Sequence, residues 1–282
     1  MNARRSLPGV LESLWADRGS TRPLGLFRIL LVLLLWTRFA ADVALWNAKG
    51  PADMFLGLTF FALTGMALIG WQTRRVMALL AAIMALMYFH FGLNLGHAPW
   101  THHHVYLLFM CTLLCALGPC DRSFSLDRWL SVRAGSAGPE HGSLVANRLF
   151  QLQLAAVYLW TAVDKTNADF LGGTRLDQIL HFHYDGSFLA PVILWTPLVV
   201  GGAAAVVVLE YFLATGVLLR RWLPAVFFLG FALHLAFYYL LPVDTFSLTM
   251  MTMYLFLIPP ERVHDFFDRL FAPPSRPANE PQ

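Results

Sequence analysis

The sequence predicts an all-α fold, a polytopic integral membrane bundle of about eight transmembrane helices with both termini in the cytoplasm. Of its 282 residues, 57% are hydrophobic and only 13% are charged, and the mean hydropathy is +0.58. Apolar runs close to the ~20 residues that cross a hydrocarbon core recur from end to end. Arginines are concentrated in alternate loops, as in membrane proteins with a fixed orientation. The formal net charge of +3 is spread along the chain, which excludes a nucleic-acid partner.

The apolar runs define the predicted spans and the domain organisation. The candidate spans lie at 24–45, 54–71, 75–95, 103–118, 147–164, 198–219, 223–241 and 245–258. A polar loop over 119–146 separates the fourth span from the fifth. We therefore expect a cytoplasmic segment at 1–23, a transmembrane domain at 24–258, and a Pro-rich cytoplasmic tail at 259–282. That tail opens with a short amphipathic piece, "ERVHDFFDRLF".

The distribution of basic residues predicts the orientation. Every second loop, beginning with the N-terminal segment, is rich in arginine: Arg4, Arg5, Arg18, Arg22, Arg74, Arg75, Arg122, Arg128, Arg133, Arg148, Arg220, Arg221, Arg262, Arg269 and Arg276. The alternate loops carry only Lys49, Lys165 and Arg175. By the positive-inside rule, those alternate loops lie outside the cytoplasm.

The predicted extracytoplasmic face holds most of the chain's imidazoles and many of its carboxylates. The residues are Asp53, His97, His102, His103, His104, Asp164, Lys165, Asp169, Asp177, His181, His183, Asp185 and Asp244. We expect any chemistry to take place on this face.

The stretch "LWTAVDKTNADFLGG" places a lysine at the tip of an apolar helix. Gln151, Tyr158, Thr161 and Lys165 follow one another at steps of seven, three and four, so they share one helical face that leads to the ammonium. Asp169 lies four residues further on and reaches Lys165 if the helix continues.

Two interpretations of Lys165 remain open at this point. Burial disfavours a charged ammonium, and a neutral amine in an outer pocket can act as a general base on a weak acid. Alternatively, the side chain extends to the lipid headgroups, as lysines at helix ends commonly do.

Four further ionisable residues fall inside predicted spans, where unpaired charges are costly. Arg38 and Asp42 are four apart on the first span, which predicts a structural ion pair along one helix face. Glu210 and His234 lie near mid-depth of the sixth and seventh spans, where we expect one buried hydrogen-bonded pair that either holds the bundle together or supports a site.

The histidine clusters "HAPWTHHHVY" and "HFH" suggest metal binding, but three consecutive histidines cannot all face one point on a helix. No metal site is therefore expected, although a histidine-ligated, metal-dependent membrane oxidoreductase is kept as an alternative. The cysteines Cys111, Cys115 and Cys120 are interpreted as reduced packing residues. Motifs of serine hydrolases, phosphate loops and zincins are absent from the sequence.

Several stretches together resemble the vitamin K-dependent γ-carboxylase-like family, also described by its horizontally transferred transmembrane (HTTM) domain. They are "LGLFRILL" at 24–31, "WTHHHVYLL" at 100–108, "QLQLAAVYLWTAVDKTNADFLGG" at 151–173, "HLAFYYLLPVDTFSLTMM" at 234–251 and "LFLIPPERV" at 255–263. Their order and spacing cover most of the chain. The resemblance implies a quinol cofactor of the vitamin K or menaquinol type, with oxygen and carbon dioxide as co-substrates.

In the animal carboxylase, the resemblance implies, a lysine in "G-V-K-K-L-D-A-D-W" deprotonates the hydroquinone, and its second lysine falls on Lys165. A histidine in "N-N-H-S-Y-L" falls on His104. This sequence departs from those motifs at Asp164, Asn167 and His103. It also shows no counterpart of the large C-terminal part that holds the animal enzyme's protein substrate.

These observations predict a membrane enzyme, in a bacterial inner membrane, with Lys165 as base and His104 assisting. Its expected pocket residues are His103, Tyr158, Thr161, Asp169, Glu210 and His234. Expected partners are the lipid bilayer, a lipid quinone and a secreted or periplasmic peptide or protein. The main alternative is a non-enzymatic accessory, maturation or immunity protein for a secreted peptide.

Overall fold

The computed structural model describes residues 17–271. The predicted basic residues Arg4, Arg5 and Arg276 lie outside the described residues. Within the described range the regular secondary structure is helical apart from one short antiparallel pair of strands, β1 (Arg18–Ser20) and β2 (His141–Ser143). The all-α prediction is confirmed for this part of the chain.

The helices follow one another closely. The first half contains α1 (Arg22–Phe39), α2 (Pro51–Ile69), α3 (Thr73–Met87), which continues as a π-helical segment over Tyr88–Asn94, α4 (His103–Leu117) and α5 (Leu126–Arg133). The second half contains α6 (Val145–Lys165), α7 (Ala168–Leu171), α8 (Thr174–Tyr184), α9 (Ala190–Ile193), α10 (Thr196–Leu218), α11 (Leu223–Leu240), α12 (Asp244–Met253) and α13 (Pro260–Phe271). Short 3₁₀-helices occupy Leu45–Asn47, Ala98–Trp100 and Tyr254–Leu257.

Four helices in the described range are long and apolar enough to cross a membrane. They are α2, α3 together with its π-helical continuation, α10 and α11. The other predicted spans are helical but do not meet both criteria. Helix α1 ends at Phe39, earlier than the predicted first span, and contains three arginines. Helix α4 has only 15 residues.

Local chemistry explains several helix ends. Gly70 ends α2 in the left-handed conformation, at φ +73°, which glycine adopts without a steric penalty. Pro51 begins that helix, where its missing N–H costs nothing. The carboxylate of Asp127 on α5 accepts hydrogen bonds from the backbone N–H groups of Gln72 and Thr73 at 2.9 and 2.8 Å. The loop helix α5 is thereby fixed to the turn between α2 and α3.

Aromatic packing joins helices that are distant in sequence. Phe150 on α6 stacks on Phe256 at 4.2 Å between ring centroids, and Phe27 on α1 contacts both rings at 4.7 and 4.9 Å. All three side chains are buried. Helix α1 is therefore a central helix of the bundle, and α6 packs along both α10 and the end of the α12 segment.

Two arginines organise the end of the bundle where the chain begins. Arg22 donates to Glu140 at 2.8 Å, pairs with Asp268 at 2.7 Å, and donates to the carbonyl of His264. It thus ties the start of α1 to the 119–146 loop and to α13. Arg28 is fully buried, and its guanidinium donates to the carbonyls of Cys120 and Phe124.

The predicted amphipathic piece of the tail is helix α13. Val263 is buried against the bundle, while Phe266, Leu270 and Phe271 are exposed. Cys111, Cys115 and Cys120 are buried free thiols, which agrees with their interpretation as packing residues.

Candidate functional site

Lys165 lines a cavity of about 840 Å³. The walls come from α6, α8, α10, α11 and the start of α12, and most lining side chains are apolar. They include Leu176, Ile179, Leu180, Leu198, Val199, Val206, Leu233, Phe237, Leu240 and Phe246. His103, Thr161, Asp164, Asn167, Asp169 and Arg175 provide polar groups. An apolar cavity with a few convergent polar groups is the usual form of a small-molecule site.

The ammonium of Lys165 forms an ion pair with a buried glutamate. Its Nζ lies 2.6 Å from Oε1 of Glu210 on α10, where the lysine side chain is 22% exposed and the glutamate 4%. The second carboxylate oxygen of Glu210 has no hydrogen-bond partner within residues 17–271. The Phe170 ring lies 5.8 Å from Nζ on another side. Lys165 therefore points into the bundle rather than toward the headgroups.

Helix α6 does not continue to Asp169. It ends at Lys165, and Asn167 leaves the helical conformation and caps α7, with its side chain accepting from the Phe170 N–H at 2.9 Å. Asp169 therefore lies on a separate helix, and although it lines the cavity, the carboxylate that contacts Lys165 is Glu210. The predicted i,i+4 contact fails because the helix ends one turn too early.

The expected Glu210–His234 pair is also wrong, because each residue contacts α6 at a different level. Glu210 pairs with Lys165, whereas His234 Nε2 lies 2.9 Å from the hydroxyl oxygen of Tyr158. Tyr158 also hydrogen bonds to the hydroxyl of Tyr254. Both residues therefore contact the polar stripe of α6, but at different positions. They belong to two separate networks, one at Lys165 and one at Tyr158.

The His234–Tyr158–Tyr254 network is buried in the bundle. Gly230, one turn before His234, lets the Tyr254 ring approach α11, because any Cβ there would meet that ring. His234 Nδ1 has no partner among the described residues. Sequence reasoning missed Tyr254, since the apolar segment around it shows no polar periodicity.

Arg38 and Asp42 line a second cavity of about 810 Å³ at the same end of the bundle. Arg38 Nη1 lies 2.9 Å from Asp42, the contact that their spacing predicts, and Nη2 donates to the carbonyl of Pro99. The guanidinium also donates from Nε to His104 Nε2 at 3.3 Å. Lys49, His97 and His102 are among the other lining residues.

His103, rather than His104, borders the cavity of Lys165. His103 lines both cavities, together with Val243 and Phe246, whereas His104 lines only the polar one beside Arg38. The predicted catalytic partners Lys165 and His104 are therefore separated. The two histidines are adjacent at the start of α4, where consecutive side chains project about 100° apart.

The other histidines lie in separate places. Within the described residues, no group of three or more His, Cys, Asp or Glu side chains is arranged to hold a metal ion. His181 on α8 lies 3.7 Å from Asp177, and His90 lies 2.7 Å from Asp53, a pair that sequence reasoning missed. The alternative of a histidine-ligated metal oxidoreductase therefore gains no ligand set from this part of the chain.

The model of one protein family, the HTTM domain, matches residues 43–261, which is most of the chain. The matched range contains the Lys165 cavity, the Lys165–Glu210 pair and the His234 network. Arg38 and Asp42 of the second cavity precede it. Neither the curated proteins nor the solved structures provide a match.

Proposed function

Since the chain belongs to the HTTM domain family, which is related to vitamin K-dependent carboxylases, we propose that it is an integral membrane enzyme acting on a quinol-type lipid with oxygen. The observation that carries the proposal is Lys165 on the wall of a mostly apolar cavity, paired with the buried Glu210. Intramembrane ionisable residues with a partner commonly mark functional sites.

The cavity fits a quinol in size and in chemistry. Its volume of about 840 Å³ lies within the range of cofactor pockets, and its apolar side chains suit an aromatic ring and an isoprenoid chain. Lys165, His103 and Thr161 would hold the polar end of the molecule. A bound quinol supplies a weakly acidic hydroxyl and the electrons that reduce oxygen.

The Lys165–Glu210 pair supplies the base. The two groups are 2.6 Å apart and can share one proton, so that a proton resting on Glu210 leaves Lys165 Nζ as a neutral amine. Nζ then accepts a proton from a hydroxyl held at the polar end of the cavity. Surrounding apolar side chains exclude water, which would otherwise compete for that proton.

Orientation follows from the distribution of arginines. We infer about eight membrane passages, both termini on the cytoplasmic side, and the Lys165 cavity on the extracytoplasmic side of a bacterial inner membrane. A secreted or periplasmic peptide would then have access to the Lys165 end. Carbon dioxide as co-substrate and carboxylation of that peptide are further parts of this proposal, implied by the family relationship.

The direct test is epoxide formation by the purified protein, supplied in separate reactions with menaquinol and ubiquinol. Lys165→Ala should abolish the product. Lys49→Ala is a matched control, because Lys49 is the chain's other lysine and is exposed, and it should retain wild-type turnover. If the wild-type protein forms no epoxide from either quinol, the enzyme proposal is wrong and the non-enzymatic accessory role is favoured.

A further inference from the structure

The segment 174–195, which contains α8 and α9, crosses the Lys165 end of two membrane helices; we call it the strap. It leads directly into the start of α10, and its Tyr184 hydroxyl donates to the carbonyl of Tyr239 near the end of α11 at 3.1 Å. Gly173, at φ +82°, packs against Val199 and Val200 where the chain turns into the strap. The strap therefore spans the gap between α10 and α11.

One face of the strap closes the cavity. Leu176, Ile179 and Leu180 of α8, with Ile193 of α9, line the same space as Lys165. These residues recur at helical spacing, so α8 presents an apolar side to the cavity.

The other face of the strap exposes large apolar side chains. Phe182 and Phe188 are 86% and 90% exposed, and Val192 and Trp195 are exposed as well. Four such side chains within 14 residues form a surface that water does not favour. The strap also carries Arg175, Asp177, His181, His183 and Asp185. It is therefore too polar to cross a bilayer, and its longer helix, α8, has only 11 residues. This composition is typical of an element that lies in the membrane interface.

The exposed face continues into lipid-facing surface. Leu198 near the start of α10 and Leu240 at the end of α11 are exposed, and each of them also lines the cavity. Both belong to helices that are long and apolar enough to cross a membrane. The rim of the cavity beneath the strap is thus formed by residues on membrane-facing helix surfaces.

From this geometry we propose that the strap inserts Phe182, Phe188 and Trp195 into the bilayer leaflet at the Lys165 end, and that a lipid-borne ligand enters the cavity from that leaflet beside Leu198 and Leu240. The ligand class is an amphiphile with a polar head and an apolar tail. This inference rests on the proposed function only for the identity of the ligand, since the contact with lipid follows from the strap itself.

Photo-crosslinking tests the lipid contact. The full chain, with p-benzoylphenylalanine at position 182 or 188, is reconstituted into nanodiscs of radiolabelled phosphatidylcholine and irradiated. Position 185, an exposed polar site on the same strap, is the matched control. We expect several-fold more lipid adduct at 182 and 188 than at 185. Equal labelling at the three positions would overturn the proposal.

Ligand binding tests the route of entry. The double variant Phe182→Ser, Phe188→Ser changes only exposed side chains and should remain folded. Its association rate for menaquinone-4 from nanodiscs should fall several-fold, while the association rate for menadione, which has no tail, should be unchanged. Unchanged rates for both probes, or an equal fall in both, contradict entry from the leaflet.

Neither readout depends on catalysis. An active enzyme without lipid adducts at 182 and 188 would defeat the strap proposal alone. Lipid adducts at those positions in a protein that forms no epoxide would defeat the proposed function alone.

Discussion

Two cations at opposite ends of the bundle, Arg22 and Lys165, differ in the number of their partners. At the end where the chain begins, Arg22 makes three separate contacts that join α1, the 119–146 loop and α13. At the other end, Lys165 lines a cavity of about 840 Å³ and pairs with Glu210, whose second carboxylate oxygen has no partner within residues 17–271. A cation with several partners from distant segments fixes structure, whereas one bordering open space is available to a ligand.

Arg28→Ala should have the largest effect on stability. It removes a fully buried guanidinium and leaves the carbonyls of Cys120 and Phe124 without their donor. Hydrogen bonds to charged groups contribute about 1.5–3 kcal/mol each, so we expect a loss of about 3 kcal/mol or more. Thermal unfolding in detergent measures it. Arg133→Ala, an exposed control on α5, should change the unfolding free energy by less than about 0.5 kcal/mol.

Glu210→Gln should affect activity more than stability. Gln keeps a side-chain oxygen within reach of Lys165 but cannot take its proton. Loss of general acid–base function typically costs about 10²–10⁴-fold in rate, and we expect a fall in kcat in that range. Glu210→Asp, which restores a carboxylate on a shorter side chain, should recover part of the rate. Full activity in Glu210→Gln would show that the pair has a purely structural role.

Alanine substitutions of the neighbouring His103 and His104 test which of the two cavities is used in turnover. His103→Ala should lower turnover, because His103 borders the Lys165 cavity. His104→Ala should have the smaller effect on turnover, since that ring contacts Arg38 in the polar cavity. Steady-state kinetics of the two variants decide between these roles. The opposite ranking would support the assignment of His104 implied by the family motif.

The smallest expected effect is in thiol labelling, because we expect no modification of Cys120, whose carbonyl is bound by Arg28. Burial raises the pKa of Cys120 to about 12, so at pH 8 its thiol stays protonated as well as shielded. Iodoacetamide should leave the native protein unmodified, whereas a Thr161→Cys variant, whose new thiol lines the Lys165 cavity, should react. Mass spectrometry of the intact protein measures both. Rapid modification of native Cys120 would contradict its burial beside Arg28.

The sequence predicted those features that depend on local periodicity. The 3.6-residue repeat accounts for the helical class, the polar stripe leading to Lys165 and the amphipathic helix α13. The predicted Arg38–Asp42 contact also forms, although Asp42 lies in the turn after α1. The first span was predicted too long, because apolar residues continue past Phe39 although the helix ends there.

Features that depend on packing between distant segments could not be predicted in the same way. The partner of Lys165 is 45 residues away in sequence, and the local spacing pointed to Asp169 instead. Because α6 ends at Lys165, Asp169 does not follow on the same helix, and Glu210 is the carboxylate that pairs with Lys165. The structural role of Arg28 was not predicted. Its apolar neighbours in sequence indicate a membrane span, but they do not indicate that the guanidinium binds carbonyls of the 119–146 loop. The strap was not predicted, because polar residues alternate with its aromatic residues in the sequence and no apolar run of membrane-spanning length marks it.

The most direct test compares turnover per folded molecule in Lys165→Ala, Arg28→Ala and the wild-type protein. It tests whether Lys165 acts in catalysis while Arg28 acts in stability. We predict that folded molecules of Lys165→Ala form no quinol epoxide, and that their unfolding temperature also falls because the buried Glu210 loses its partner. Arg28→Ala should yield less folded protein, whose remaining folded molecules turn over at the wild-type rate. Epoxide formation by Lys165→Ala at the wild-type rate would contradict the account.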